Sequence, residues 1–117
     1  MTQRFSESAL NEAANGMTLN TIKLHNGDVG VNGTSNQIAG ASAPATYGVA
    51  ANGERDLSES VEVNVPADSV VSHYSVWDGT TFKYGNVLDS NPETFSNAGI
   101  AVIASAKVSF VNEVANE

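Results

Sequence analysis

The sharpest pattern in the chain is an alternation. Val61, Val63 and Val65 take every second place against Glu62 and Asn64, which predicts a half-buried strand with one wetted face. Pro66 ends it, because proline brings no amide hydrogen to a ladder. The helical period occurs near the N-terminus, in residues 6–17, "SESALNEAANGM". Leu10, Ala13, Ala14 and Met17 recur there at i, i+3, i+4 and i+7, Ser6 or Ser8 can cap the first free amides, and Gly16 is a natural stop. So short a helix with so small an apolar face is marginal alone and needs docking, either on its own sheet or on a neighbouring subunit. "TLNTIKLH" reads as a strand, and Val70–Trp77 and Thr81–Leu88 read as a hairpin joined at Asp78-Gly79. The last apolar run, Gly99–Val114, fits two short strands or one bent strand.

Between the helix and the Val-rich strand lies "NGDVGVNGTSNQIAGASAPATYG", with glycine at 27, 30, 33, 40 and 48. That density reads as a long surface excursion with at most one short strand, near Gln37–Ala39, and either an ordered functional loop or a flexible one. Five to eight strands, one short helix and no alternation of strand with helix predict a mainly β chain, a single-domain β-sandwich or jelly roll. The expected organisation is an arm and docking helix over residues 1–17, followed by a β-sandwich domain over 18–117.

Composition narrows what such a domain does. Of 117 residues only 15% are charged, and 13 acids against 5 bases give a net charge of −8. Scattered cations and an acidic balance argue against nucleic acid and against anionic membrane surfaces as partners. No apolar run approaches the roughly 18 residues of a membrane span, and "MTQRFSESAL" lacks the apolar core of a signal peptide. The absence of cysteine excludes disulfides, thiolate metal sites and a Cys nucleophile.

Catalytic and metal chemistry find little to work with. His25 and His73 have no zinc-ligand spacing, and the calcium-like "DVGVNG" places Ala39 where a bidentate Glu belongs. There is no G-x-S-x-G elbow, and glycines at 27, 30 and 33 match no phosphate loop. Acids bunch between Glu54 and Asp68, but alternation puts Glu62 on the wet face of an ordinary strand. No enzyme activity, cofactor or metal is expected.

The aromatic hairpin concentrates what remains: the only Trp, one of two His and two of three Tyr. With Asp78-Gly79 as a two-residue turn, Trp77 pairs with Thr80, Ser75 with Phe82 and His73 with Tyr84. His73, Trp77, Phe82 and Tyr84 then share one face, and Tyr74, Val76 and Lys83 take the other. Either both faces are covered, by the opposite sheet and by the helix or a neighbour, or the aromatics form an exposed patch for a protein or a sugar.

The order of these pieces resembles the small tail-fibre-like virion proteins of actinobacterial tailed phages. The matching stretches are "ALNEAAN", "LHNGDVG", "SVEVNVP", "VVSHYSVWDGTTF" and "ETFSNAGIAVI", from about Ala9 to Ile103. The chain departs from that pattern in "ATYGVAANGERDLSES", where Gly48 follows Tyr47 and the segment turns acidic. The resemblance implies a non-enzymatic phage structural protein, made in the host cytoplasm and located in the virion. It would be either a capsid decoration protein or a minor tail or tail-fibre module. Its expected partners are itself, as a homotrimer, and other capsid or tail proteins. Phe5, Leu10 and Met17 are the expected anchors of the arm, and Trp77, Phe82 and Tyr84 the expected interface of the domain. The alternative is a carbohydrate-binding module for the host surface.

Overall fold

A computed structural model of the chain describes residues 4–88 and 92–110. Helix α1 (Glu7–Asn15) begins at Ser6, whose extended backbone lets its hydroxyl accept the Ala9 amide at 3.1 Å. Gly16 closes it in right-handed geometry, with its amide turned back to the Glu12 and Ala14 carbonyls. Among the described residues ten strands follow: β1 (Thr21–His25), β2 (Gln37–Pro44), β3 (Glu54–Arg55), β4 (Val61–Val65), β5 (Ser69–Val71), β6 (His73–Asp78), β7 (Thr81–Val87), β8 (Glu93–Phe95), β9 (Gly99–Ile103) and β10 (Val108–Ser109). All pairings are antiparallel: a four-stranded sheet in the order β2-β1-β6-β7, and the pairs β4-β9, β5-β8 and β10-β3.

The chain is a mainly β single domain, a sandwich in which the four-stranded sheet and the β4-β9 pair close over one core. Ile22 and Leu24 from β1, Tyr74 and Val76 from β6, Val61, Val63 and Val65 from β4, and Ala101 and Ile103 from β9 fill it. The alternation of β4 is realised residue by residue, with its three valines buried and Glu62 and Asn64 exposed. Tyr47 crosses the core to donate its hydroxyl to the Ala106 carbonyl at 2.7 Å, and burial holds that phenol protonated far above its ordinary range.

The structure differs from sequence expectation in three places, each with a physical cause. Val70–Trp77 is not one strand, because the chain leaves β8 for β1 at Ser72, whose amide bonds the His25 carbonyl at 3.0 Å. The strand near Gln37 runs on to Pro44, since β1 supplies an edge to pair with. It does so across a register jump near the positive-φ Gly40. The closing run takes one of its two expected forms, two short strands, β9 and β10; its part beyond Phe110 lies outside the described residues.

The third difference is in the hairpin. Asp78 pairs with Thr81, so Gly79 and Thr80 form the turn, with Gly79 at φ +58°. Trp77 faces Phe82, and a bulge then falls between Trp77 and Val76. That extra residue flips the phase of β7, so Tyr84 pairs with Val76 and lies on the core side beside Tyr74, their ring centroids 6.3 Å apart. The expected face of His73, Trp77, Phe82 and Tyr84 is therefore corrected: Tyr84 belongs to the other side.

Candidate functional site

Both faces of β6 are covered, one by the core and the other by the loop from Asn26 to Asn36. Neither the helix nor a neighbour is needed. The loop is built on local polar bonds: Asp28 accepts the Gly30 amide at 2.9 Å, and the Asn36 side chain donates to the Asp28 carbonyl at 2.9 Å. Gly33, at φ +72°, lies against the Phe82 ring so closely that a Cβ there would overlap it. Phe82 in turn packs on Trp77 with ring centroids 5.4 Å apart. The Lys23 ammonium sits 4.2 Å from the centre of a Trp77 ring, leaving the indole 5% exposed.

Beneath the loop runs a buried polar chain. The Ser35 carbonyl can only accept, so at 2.8 Å it fixes a proton on His25 Nδ1. Nε2 then accepts the Ser75 hydroxyl at 2.7 Å, and Ser75 Oγ accepts the Trp77 indole N–H, also at 2.7 Å. Every donor has an acceptor when His25 is neutral. Burial lowers the His25 pKa below 6.5; the Ser35 bond opposes that, and His73 and Lys23 add to it. A Ser–His bond is also the geometry of an activated nucleophile. Here, however, Ser75 and His25 are both 0% exposed, and the second ring nitrogen is tied to the backbone. The dyad ties a loop to a sheet and is closed off from solvent.

The helix end presents a different surface. Its polar side is stapled to the segment from Gly48 to Arg55. Asn11 and Asn15 accept the Gly53 and Ala50 amides at 2.7 and 2.9 Å. Arg55 donates to the Ala14 and Met17 carbonyls at 3.0 and 2.7 Å, and through Nε to Gly48 at 2.9 Å. These bonds satisfy carbonyls that a helix end leaves open, with a cation where the helix dipole favours one. Ala14 is fully buried and Met17 packs on the core, whereas Leu10 and Phe5 are turned away from it. With Ala9, Ala13 and Phe110 they line an apolar cleft of about 500 Å³, in which Phe5 is 50% exposed. Gly53, at φ +75°, packs closely against two of its lining residues: a Cβ there would run into the Phe110 carbonyl and press on Leu10.

Of the six expected interface residues, the structure brings Phe5 and Leu10 together at this cleft. Met17, Trp77 and Phe82 are committed to the domain's own packing. Tyr84 is half-buried and lines a polar cleft of about 230 Å³ with Asn86, Lys107 and Ser109. Phe110, Arg55 and the His25–Ser75–Trp77 chain were not singled out from sequence. Phe110 carried a signal, an aromatic closing an apolar run; a lone Arg in an acidic segment carried none. A last cluster surrounds Asp56. Burial opposes its ionisation, but bonds from the Ser105 hydroxyl and the Ala106 and Leu57 amides outweigh it and lower the carboxyl pKa. Comparison of the chain with protein families, curated proteins and solved structures found no match to any.

Proposed function

We propose that this chain is a non-enzymatic structural component of a phage virion, anchored to a neighbouring virion protein through the apolar cleft on α1. The observation that carries the docking role is the cleft itself. Phe5, Leu10, Ala13 and Phe110 present apolar surface on a helix that polar bonds already hold in place, so the surface is not needed to dock the helix. The chemistry-bearing side chains support the same reading: His25, Ser75, Tyr47 and Asp56 are each used up in internal bonds. The virion comes from the order of motifs between Ala9 and Ile103. The trimer seam expected around Trp77, Phe82 and Tyr84 is replaced in this reading, because those side chains stabilise the domain itself.

Immunogold microscopy of purified particles, with an antibody to residues 18–117, tests the reading and separates its two forms. Even label over heads assigns a decoration protein, and label confined to the tail assigns a minor tail or fibre module. Particles free of label and of the protein's tryptic peptides would overturn it. The glycan-binding alternative keeps one observation, the polar cleft in which Asn86 donates to the Tyr84 hydroxyl at 3.0 Å. Saturable binding to a host-wall glycan, abolished by Tyr84→Ala, would favour it.

A further inference from the structure

The strand edges of this sandwich are not alike. On β7 the edge is broken by a bulge and carries Lys83; on β2 it is interrupted at Gly40 and closed by Pro44. Short β8 carries Glu93. These are the devices by which sheets discourage pairing with other chains. β9, "GIAVI", has none of them. It pairs on one side only, with β4, through an unbroken register from Val61↔Ile103 to Val65↔Gly99. Among the described residues no backbone hydrogen bond reaches its other side. Its outward side chains, Ile100 and Val102, are 54% and 60% exposed. An open cleft of about 200 Å³ borders it from Ala101 to Ser105, with Val71, Leu88 and Glu93 opposite.

We infer that β9 is a self-pairing edge: it takes the β9 strand of a second copy, antiparallel and centred on Ala101. This deepens the structural role proposed above and rests on it. The occupant is a second copy because the strand is complementary to itself. About Ala101, Ile100 falls opposite Val102 of the partner, and Gly99 opposite Ile103. Bulk meets bulk on the outer face, and glycine leaves room for isoleucine on the inner one. Charge selects the same partner. A chain of net charge −8 repels its own copies over most approaches. Across β9, though, each outward row runs from Glu62 to Val102, then to Ile100 and Asn64 of the second copy, so no carboxylate meets another. The pairing is isologous and two-fold. A five-residue seam is small against the area of a stable dimer. It is therefore a weak contact, populated at high local concentration such as a particle surface provides.

The absence of native cysteine makes the register directly testable in the full-length chain. Mixing the single variants Ile100→Cys and Val102→Cys under mild oxidation should give the cross-linked heterodimer several-fold faster than either variant alone, because only the mixture puts two thiols directly opposite. Sedimentation velocity should show concentration-dependent dimers of the native chain, weakened at least ten-fold by Val102→Lys, with Trp77 fluorescence unchanged as the check on folding. A chain that stays monomeric at every concentration with no preferred cross-link would overturn the inference. So would dimers that survive Val102→Lys. If those dimers are lost in Phe5→Asp, the α1 cleft keeps its docking role and only the β9 contact fails.

Discussion

His25 is the side chain on which the most depends. It is a titratable group placed where only its neutral form satisfies every partner, and burial holds its folded pKa below the ordinary 6.5. A histidine depressed on folding contributes stability that is present above about pH 6.5 and is lost as pH falls through that value towards the folded one. The urea midpoint, followed by Trp77 fluorescence, should therefore drop between pH 7.5 and pH 5. In His25→Gln that drop should vanish, while stability at pH 7.5 is lower by about 1–3 kcal/mol because a buried partner loses its bond. An equal drop in the variant would move the effect to another group. Gly33 is the second sensitive residue. Its left-handed backbone and its contact with Phe82 leave no place for a Cβ. Gly33→Ala should cost about 1–3 kcal/mol from the backbone alone, measured as a lower melting temperature with a red-shifted Trp77 emission.

Among the elements, α1 shows how a marginal helix is held. Its apolar stripe is divided: Ala14 and Met17 are packed inward, while Leu10 and Ala13 line the cleft. Docking thus falls to polar bonds, above all those of Arg55, which reaches two carbonyls at the helix end and stacks 5.8 Å from the Tyr47 ring centre. Arg55→Met keeps the bulk and removes the donors. It should lower stability by about 1.5–3 kcal/mol, the range for bonds to a charged group, and reduce helical circular dichroism while leaving the β-domain folded. An unchanged helical signal would mean that Asn11 and Asn15 suffice. The Lys107–Glu54 pair at 3.9 Å is half-exposed on both sides and contributes little.

For the whole molecule, association is proposed on surfaces separate from those that hold the fold. The core and the covered face of β6 hold the domain together. The α1 cleft, and β9 with Ile100 and Val102, are the surfaces proposed above for partners. On the proposed reading, Phe5→Asp should keep the β-domain folded and fail to enter particles, read as its absence from purified virions in a complementation experiment. Normal incorporation would remove the cleft from the assembly. Leu10→Asp should lose incorporation too, at some cost in stability because Leu10 rests on Gly53.

Local pattern determined the elements. A period of two marked β4, a period near four with a serine cap marked α1, and Gly-containing turns marked the hairpin's place, since each signal lies within a few residues of the structure it produces. The mainly β sandwich followed from their sum. What only the tertiary structure decided were relations between distant residues. The phase of Tyr84 hung on one bulge in β7, and the break at Ser72 on a carbonyl 47 positions earlier, that of His25. The loop from 26 to 36 reads as an excursion because its own turn bonds supply only part of its order, and the rest comes from contacts with His25 and Phe82 outside it. "GIAVI" reads in sequence only as part of an apolar closing run, with nothing to say which of its faces is covered. Its exposure at Ile100 and Val102 arises because none of the described elements covers its outer face, and coverage is a property of the assembled fold that no local pattern encodes.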